Sequence, residues 1–374
     1  MMLEKKKLLI FSSSLAGGGA EMHLVRLLPF LQKEYNVTLG LARKEGQLLA
    51  FLPEGIEVVE LGASRVLKAI LPLARFIKKF KPDIILALQD HAAAVVLLST
   101  WISGLKIKPK LVASIQMDIA AERRLSDSIK TRLLFTISPY ILGFFDHLVG
   151  CSRGVVASLI KENSYLQRKT TTIYNAILDD SIIAAAKQEC PDLWLQKKSK
   201  PVIVACGRLT KQKNFSSLIE AFKQVSEKLD CRLLIIGSGP EQQGLEDLIN
   251  KLQLSESAKI LPFTKNPYCY FSRADVFVLS SLWEGLGNVL VEAMACKLPV
   301  ISSDCPSGPA EIIENNVSGV LVPVNDSLAL AQAILSVLRD KETAQKTTEA
   351  GRQRAFLFSA QASAEQYLKV LAHV

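Results

Sequence analysis

The sequence has few of the residues that build metal and redox sites. Its 374 residues include four histidines and seven cysteines. No two cysteines are spaced as Cys-x-x-Cys, and none lies at metal-ligand spacing from a histidine. This odd number of unpatterned cysteines indicates free thiols in a reducing cytosol, so we expect a cytoplasmic protein without a resident metal or cofactor.

Long hydrophobic runs are also absent. No run reaches the ~18 apolar residues that a membrane-spanning helix needs, and the short run Leu8–Phe11 after Lys5–Lys7 does not resemble a secretory signal. Two runs come partway. Ala92–Leu105 is expected to be a buried helix, whereas Leu133–Phe145, preceded by Lys130 and Arg132, is either a buried helix or one that lies at a membrane interface.

Two function classes are disfavoured by missing motifs. No predicted strand is followed by Gly-x-Gly-x-x-Gly with an acidic residue ~20 positions on, which argues against a dinucleotide-dependent oxidoreductase. The pI of about 9.1 could suggest a nucleic-acid binder. However, aromatic residues make up only 7% of the chain and do not cluster among the basic ones, so no nucleic-acid partner is expected.

The composition that remains is that of a globular protein with an uneven charge. Hydrophobic residues make up 49% and charged residues 22% of the chain, and the length suggests two domains. Residues 1–180 hold 24 of the 45 basic and 16 of the 36 acidic residues, and so carry +8 of the net +9. A basic half can serve an anionic membrane surface, a phosphorylated substrate or merely solubility.

Apolar strand-like runs alternate with helical segments along the whole chain, which predicts parallel sheets covered by helices on both faces. Because the pattern restarts near Pro201, we predict an α/β fold of two Rossmann-like, doubly wound domains that face each other across a cleft. The predicted parts are a domain at 1–180, a linker at 181–200, a domain at 201–358 and a terminal helix, 359–374, packed on the first domain. The helical segment Val66–Phe80 contains Pro72, so that helix either is kinked there or begins near it.

Three segments that follow predicted strands carry candidate site residues. Gly17–Glu21 opens a helix with a glycine cluster, where backbone amides can approach an anion, although such clusters often serve only a turn. Gly207–Asn214 contains Arg208 and Lys213, two cations suited to a diphosphate or simply to solvent. Ser280–Ala295 places Glu284 in a glycine-flanked loop and Glu292 in the following helix, where carboxylates can accept hydrogen bonds from sugar hydroxyls.

Glu284 through Glu292 resembles the Glu-x7-Glu motif of retaining glycosyltransferases with the GT-B fold, particularly glycosyltransferase family 4. The resemblance extends over most of the chain, through Gly18–Glu21, Gly207–Asn214, Ile236–Glu241, Pro299–Asp304 and Gly319–Pro323. The segment Cys305–Glu311 resembles the subgroup that builds bacterial surface polysaccharides and lipid-linked glycans.

The resemblance implies a donor site in the C-terminal domain, with a nucleotide-sugar co-substrate that is expected to be a UDP-sugar. Arg208 and Lys213 would bind the diphosphate, Glu284 the donor sugar or its phosphate, Glu292 the ribose, and Phe263 would lie near the base. Gly18 and Gly19 would close over the diphosphate or sugar. The remaining implied donor contacts are the backbone amides of the helix start, at Leu286, Gly287, Asn288 and Val289.

The sequence departs from the family at one position near the reacting centre. Many members carry a histidine after the strand that matches Leu111–Ile115, whereas this chain has Gln116. Either Gln116 hydrogen-bonds the sugar in that role, or another residue does, or the activity is weak. No Asp-x-Asp occurs, which fits metal-independent transfer with retained configuration and no protein nucleophile.

The N-terminal domain is implied to bind the acceptor, a lipid-linked or other glycan, at the inner face of the plasma membrane. Weak candidates for the acceptor or the membrane are Asp118, Arg75, Lys78, Lys79, Arg123 and Arg124. Cations beside an anionic leaflet contribute ~1 kcal/mol each, although an amphipathic helix with a basic outer face explains the same pattern. The alternative within the family is a soluble transferase that uses GDP-mannose or a small-molecule acceptor.

Overall fold

The computed structural model describes residues 5–126 and 128–374, which divide into two compact units. The first unit comprises the described residues up to Ile177 together with Ser359–Val374, and the second comprises Leu178–Phe358. The division therefore falls before the linker predicted at 181–200. That segment contains two helices and belongs to the second unit.

The first unit is a parallel sheet of seven described strands with helices along its length. In the sheet the strands follow the order β3-β2-β1-β4-β5-β6-β7. The strands are β1 (Lys7–Ser12), β2 (Asn36–Leu41), β3 (Glu57–Glu60), β4 (Ile84–Leu88), β5 (Lys110–Ile115), β6 (His147–Gly150) and β7 (Thr170–Thr172). The helices are α1 (Gly19–Glu34), α2 (Ile70–Phe80), α3 (Asp90–Ile102), α4 (Ile119–Leu125), α5 (Ile129–Leu142) and α6 (Arg153–Glu162).

The second unit repeats this plan with a parallel sheet of six strands in the order β10-β9-β8-β11-β12-β13. The strands are β8 (Val202–Cys206), β9 (Arg232–Ile236), β10 (Ala258–Leu261), β11 (Val276–Leu279), β12 (Val300–Ser303) and β13 (Val320–Val322). The helices are α7 (Asp180–Ala186), α8 (Leu193–Gln196), α9 (Phe215–Ser226), α10 (Gln242–Lys251), α11 (Tyr268–Phe271), α12 (Asn288–Ala295), α13 (Pro309–Ile312), α14 (Ser327–Arg339) and α15 (Lys341–Ala355).

Burial explains why these segments form strands and pair in parallel. The central strand β4 is buried along its whole length, as is β11, because helices cover both faces of each sheet. The predicted alternation of apolar strands and helical segments is present in both units. The two doubly wound sheets confirm the predicted α/β fold class.

The C-terminal helix α16 (Ala360–His373) packs in the first unit, although the second unit precedes it in the chain. The side chain of Ser359 caps its first turn by accepting a hydrogen bond from the Ala362 N–H, at 3.2 Å. Its buried side chains, Tyr367 and Leu371 among them, join the core formed by α1 and the first sheet.

Helix geometry settles the alternative that the sequence left open at Pro72 and limits the prediction for Ala92–Leu105. α2 begins at Ile70, after a 3₁₀ turn at Val66–Ala69, so Pro72 lies in its first turn, where no N–H is needed for a helical hydrogen bond. The run Ala92–Leu105 is core over its first half, but Trp101 and Ile102 are about half exposed. Within the described residues, no helix is both long and apolar enough to cross a membrane.

Candidate active site

The candidate donor site lies in the second unit, at the carboxyl ends of β8 and β11. These strands are neighbours in the sheet although they are not consecutive in the chain. The order of an open parallel sheet reverses at such a point, and the loops on either side diverge and leave a crevice for a ligand. The loop after β8 carries Arg208 and Lys213, and the loop after β11 carries Glu284.

Lys213 and Glu284 form a buried ion pair across this point. The Lys213 Nζ lies 2.5 Å from the Glu284 Oε1, and the two side chains are only 13% and 8% exposed. The Ser281 hydroxyl donates a hydrogen bond to the same oxygen at 2.6 Å. The pair is therefore held rigidly, and the ammonium has further hydrogens with which to meet an anionic ligand.

The two loops are tied together by hydrogen bonds beyond the ion pair. The side-chain amide of Gln212 donates to the backbone carbonyl of Trp283 at 2.9 Å, and the backbone carbonyl of Gln212 accepts from the Leu282 N–H at 2.8 Å. The Ser280 hydroxyl donates to the Lys213 carbonyl at 2.8 Å. These contacts position both charged side chains before any ligand binds, which reduces the free energy needed to order the site.

Glycines are required where the Glu284 loop meets the loop that follows β12. Gly308 has a φ of 98°, and a Cβ there would lie 2.2 Å from the Leu286 carbonyl oxygen. Gly287, with a φ of 92°, adopts the left-handed conformation immediately before α12. The Glu284 loop can follow its path only because these positions lack side chains.

The amino end of α12 follows the Glu284 loop. Leu286 just before it is 2% exposed, while Asn288 and Val289 are half-buried. Glu292, one turn further on, accepts a hydrogen bond from the Tyr268 hydroxyl at 3.2 Å. Burial and then the Glu292 carboxylate raise the pKa of Cys206 to about 12, so this thiol stays protonated.

Arg208 and Phe263 are the exposed members of this group. The Arg208 guanidinium donates to the Gln212 Oε1 at 3.4 Å, and its side chain is exposed. Phe263 follows β10 and is 47% exposed, with its N–H bonded to the Ser238 hydroxyl at 3.3 Å. An exposed ring on an anchored backbone can stack on a planar ligand.

In the first unit the glycine loop lies at the corresponding point, between the ends of β1 and β4. The Glu21 carboxylate lies against Gly18. A Cβ on that glycine would collide with the Glu21 Oε2. Gln89 donates to the Glu21 Oε1 at 3.0 Å. Gly18 and Gly19 begin α1 as the sequence indicated, and a buried carboxylate lies beside them.

Gln116, at the end of β5, is held on both sides of its amide. Its Nε2 donates to the Ser114 hydroxyl at 2.8 Å, and its Oε1 accepts from the Asn175 Nδ2 at 2.9 Å. The side chain is half-buried. One amide hydrogen and part of the carbonyl oxygen stay available, so Gln116 can still hydrogen-bond a hydroxyl from a fixed orientation.

A buried network connects this amide to the C-terminal helix. The Tyr367 hydroxyl lies 2.9 Å from the Ser114 hydroxyl and 3.3 Å from the His23 Nε2. The His23 Nδ1 accepts from the Ala176 N–H at 2.7 Å, which places the ring hydrogen on Nε2. Burial and the nearby Arg26 lower the pKa of His23 to about 3, so the ring is neutral.

Two predicted acceptor residues have structural partners. Asp118 caps α4, because its Oδ1 accepts hydrogen bonds from the Ala121 N–H at 3.0 Å and from the Ser158 hydroxyl at 2.6 Å. Arg123 makes a two-pronged ion pair with Glu162, at 2.5 and 2.8 Å. These contacts therefore stabilise the fold of the first unit.

The remaining predicted cations are exposed. Arg75, Lys78 and Lys79 project from the outer side of α2, whose opposite side buries Leu73 and Ile77. The Arg124 side chain on α4 is also exposed. They are available to a charged surface but take no part in the hydrogen-bond networks described above.

The structure adds three site residues that were not assigned from the sequence: Ser281, Tyr268 and Asn175. Ser281 stands within the Glu284 motif, so its spacing was a usable signal. Tyr268 is 24 positions from Glu292, and Asn175 is 59 positions from Gln116. Their roles depend on contacts that are distant in sequence. Among residues 5–126 and 128–374, no group of three or more histidine, cysteine, aspartate or glutamate side chains could hold a metal ion.

The chain thus forms two doubly wound α/β units, and the second has a preorganised cation and carboxylate at its switch point. Residues 187–354 match the family model described as "Glycosyl transferases group 1", and residues 17–180 match the model described as "Glycosyltransferase Family 4". The two matches together span most of the chain. The chain belongs to the family 4 type of glycosyltransferases, and it is an enzyme of that class.

Individual relatives agree with this assignment. The chain is 27% identical to the N-acetylgalactosamine-N,N'-diacetylbacillosaminyl-diphospho-undecaprenol 4-alpha-N-acetylgalactosaminyltransferase of Campylobacter jejuni, over 98% of this chain and 99% of that protein. It is 29% identical to an uncharacterized glycosyltransferase of Methanocaldococcus jannaschii, over 68% of this chain and 64% of that protein. The alignment thus spans less than two thirds of the archaeal relative.

Among solved structures, the chain resembles HepE of Anabaena, crystallised in complex with UDP-glucose. The two superimpose with a TM-score of 0.82 over 98% of this chain and 100% of that one, at 22% sequence identity. At this identity the likeness shows the fold alone. The fold is GT-B, as the Glu-x7-Glu motif led us to expect.

Proposed function

We propose that this enzyme transfers a hexose or N-acetylhexosamine from a UDP-sugar to a glycan acceptor in the synthesis of a cell-surface polysaccharide. The observation that carries the proposal is the buried Lys213–Glu284 pair at the switch point of the second sheet. The cation suits a diphosphate and the carboxylate suits sugar hydroxyls. The exposed Phe263 ring and Glu292 are then available to the base and the ribose.

The same geometry supports a retaining, metal-independent reaction. The bond between the anomeric carbon and the diphosphate oxygen breaks, and the acceptor oxygen bonds that carbon on the same face. The acceptor proton passes to the departing phosphate, so no protein nucleophile is needed. Lys213, Arg208 and the backbone amides at the start of α12 would neutralise the leaving charge.

A donor panel tests this proposal directly. The protein is incubated with UDP- and GDP-sugars, nucleotide release is followed, and the product is identified by mass and by the NMR coupling of its anomeric proton. We expect UDP release that is unaffected by EDTA and a product of retained configuration. Preference for GDP-mannose, an inverted product or loss of activity with EDTA would each contradict one part of the proposal, and the absence of binding to every donor would contradict all of it.

Two variants test the assigned residues. Glu292→Ala and Arg208→Ala should each weaken UDP binding, measured by calorimetry, by about tenfold, since each removes a hydrogen-bonding or charge-assisted contact worth roughly 1.5 kcal/mol. Glu246→Ala on α10 is a matched control, because this half-buried carboxylate bonds Gln242 one turn away on the same helix, outside the Lys213–Glu284 site. Unchanged UDP affinity in both site variants would refute their assignment.

We further propose that the acceptor is lipid-linked and is reached at an anionic membrane surface. On and beside α5, Leu133, Tyr140 and Phe144 are each more than 60% exposed, and the Phe144 ring packs edge-on against Trp101, with centroids 5.3 Å apart. Exposed aromatic rings favour the headgroup region of a bilayer. The exposed cations of α2, a helix that packs on α3 as α5 also does, match the charge of anionic lipids.

Flotation with liposomes tests the membrane proposal. Vesicles of phosphatidylglycerol and phosphatidylcholine should carry the wild-type protein upward, and neutral vesicles should carry less. Reversal of charge at Arg75, Lys78 and Lys79, or Tyr140→Glu with Phe144→Glu, should reduce flotation severalfold. Lys251→Glu and Leu328→Glu in the second unit are controls that make the same kinds of charge and polarity change at single exposed positions. Equal flotation of all variants would refute the surface, and transfer to soluble acceptors alone would refute the lipid-linked acceptor.

A further inference from the structure

Asp90 occupies the ligand-binding position of the first sheet. It is the first residue of α3, immediately after β4 and Gln89. Strands β1 and β4 are hydrogen-bonded neighbours, and the strand order reverses between them. This is the same topological position as the junction of β8 and β11, where the second unit holds its buried ion pair.

The carboxylate of Asp90 is buried and incompletely satisfied. The residue is 6% exposed, and its Oδ1 has no hydrogen-bond partner among the described residues. Polar side-chain atoms that are buried in folded proteins nearly always have a partner, so an unsatisfied carboxylate oxygen requires an explanation. A ligand hydroxyl that donates to this oxygen would complete its hydrogen bonding.

The surroundings of Asp90 indicate which ligand chemistry fits. The backbone N–H groups of Asp90 and Gln116 stabilise the charged form, while Glu122 on α4 opposes it, and burial dominates, so the pKa of Asp90 rises to about 7. Glu21 adds a second buried carboxylate at the neighbouring end of β1. These carboxylates would repel an anionic ligand, whereas ligand hydroxyl groups can donate hydrogen bonds to either of them.

The backbone beside Asp90 is held in a costly conformation. Gln89 has a φ of 73° and a ψ of 154°, a combination that is almost confined to glycine. It is fixed there by a hydrogen bond from its N–H to the Ser114 carbonyl, at 3.0 Å, and by its side-chain bond to Glu21. These contacts aim the start of α3 and leave Asp90 next to Gln116.

We propose that Asp90 is an acceptor-binding residue, whose Oδ1 accepts a hydrogen bond from a hydroxyl group of the glycan acceptor. This inference rests on the proposed function and deepens it, since it assigns the recognition of the hydroxylated acceptor to the switch point of the first sheet. Gln116, oriented by Ser114 and Asn175, borders the same position and can bind a second polar group of that acceptor.

A helix-terminal aspartate can also be explained without a ligand. At the amino end of α3 its charge complements the helix dipole. That explanation predicts that Asp90→Asn changes stability alone, and that its acceptor kinetics match those of the wild type.

The test compares acceptor and donor parameters in Asp90→Asn, which keeps the size of the side chain. With the donor and acceptor identified by the panel, we expect the acceptor kcat/KM to fall by about 100-fold, a loss typical of a missing charge-assisted hydrogen bond. The Kd for UDP should stay within about twofold of the wild type. Asp146→Asn, which removes a carboxylate that bonds Lys110 and the Leu111 N–H at the opposite ends of the strands, controls for a general loss of stability in the first unit.

A second measurement separates contact from structural support. Acceptor analogues that each lack one hydroxyl are assayed with both enzymes. One deoxy analogue should react about 100-fold more slowly than the parent acceptor with the wild type but at nearly the same rate with Asp90→Asn, since the partner is already lost. If Asp90→Asn fails to fold, Asp90→Glu, which keeps the charge but displaces it, is used in the same comparison.

The outcomes distinguish this inference from the proposed function. A wild-type protein that binds no nucleotide sugar would refute the proposed function and this inference with it. Normal transfer by the wild type together with an acceptor kcat/KM within twofold for Asp90→Asn would refute the inference alone. Equal penalties for every deoxy analogue in both enzymes would do the same.

Discussion

The two units use one sheet plan to place opposite charge environments at equivalent points. In the second unit, Glu284 is paired with Lys213 and bonded by Ser281. In the first, Asp90 has an unpaired oxygen and Glu122 as a like-charged neighbour. Strand order thus fixes where a ligand binds, and the side chains that follow the strands decide which chemistry it must have. A diphosphate suits the environment in the second unit, and hydroxyl groups suit the environment in the first unit.

The largest expected effect comes from removal of the cation at the second switch point. Lys213→Met should reduce transfer by about 10³-fold, because the leaving charge loses a preorganised partner. It should also cost about 3–5 kcal/mol of unfolding free energy, since Glu284 stays buried without its cation. Steady-state kinetics and urea denaturation measure the two effects.

The double variant Lys213→Met/Glu284→Gln sharpens this result. It should recover most of the lost stability, because no charge stays buried, and it should remain inactive. A single variant with wild-type stability and activity would show that the pair is dispensable and that the two units do not differ in the way described.

The next effect concerns the unpaired carboxylate of the first unit. Because the folded-state pKa of Asp90 is raised to about 7, the native protein binds more protons than the unfolded chain between about pH 4 and 7. The contribution of Asp90 therefore falls as the pH rises through this window, by roughly 4 kcal/mol at 1.36 kcal/mol per pKa unit. Asp90→Asn should gain stability relative to the wild type as the pH rises from 5 to 8.5, as measured by urea unfolding.

The neighbouring groups bear on the size of this gain. Burial and then Glu122 raise the pKa of Asp90. Burial lowers the pKa of the adjacent His91, and the Glu21 carboxylate opposes that change. Asp146→Asn should lose stability instead, because its carboxylate accepts hydrogen bonds from Lys110 and Leu111. A pH-independent difference between Asp90→Asn and the wild type would contradict the raised pKa.

A smaller effect is expected from the glycine that shapes the Glu284 loop. Gly308→Ala should weaken UDP binding by about tenfold, because the backbone is at positive φ and the new Cβ would collide with the Leu286 carbonyl. Gly244→Ala within α10 is the control. Its Cβ meets nothing within 4 Å, and it should raise the unfolding free energy by about 0.5–1 kcal/mol. Equal calorimetric titrations for the two variants would contradict the role given to Gly308.

The smallest effect should come from Tyr367→Phe in the C-terminal helix. Loss of the hydroxyl removes its contacts with Ser114 and His23. Of these two residues, Ser114 holds the Gln116 amide. We expect a loss of about 1–2 kcal/mol in stability and a severalfold fall in the kcat for transfer, with an unchanged Kd for UDP. Weaker UDP binding in this variant would show that the network does not act on the first unit alone.

The regular part of the fold could be read from local patterns. Apolar runs such as Ile84–Leu88 and Val276–Leu279 are buried on both faces, and their length and flanking turns mark them as strands. The segment 181–200, predicted as a linker, instead contains short helices that belong to the second unit. Asp179 and Asp192 cap these helices.

The contact between Lys213 and Glu284 could be anticipated, because each residue stands in a short motif that follows a predicted strand. The contacts of two candidate residues in the first unit could not. Asp118, a weak candidate for the acceptor, caps α4, and Arg123 pairs with Glu162. Neither partner could be inferred from a charge pattern, since a cap and an ion pair depend on the backbone path between them.

The sequence by itself determined the two α/β units, because hydrophobic periodicity encodes them, and the resemblance of its Glu284–Glu292 motif indicated the family. Only the tertiary structure decided that Asp90 is buried with an unsatisfied oxygen, that Asn175 and Ser114 clamp Gln116, and that Tyr367 reaches His23 across 344 positions of the chain. The physical reason is that burial and hydrogen-bond partners depend on strand order. That order places β1 beside β4, and no local pattern carries this information.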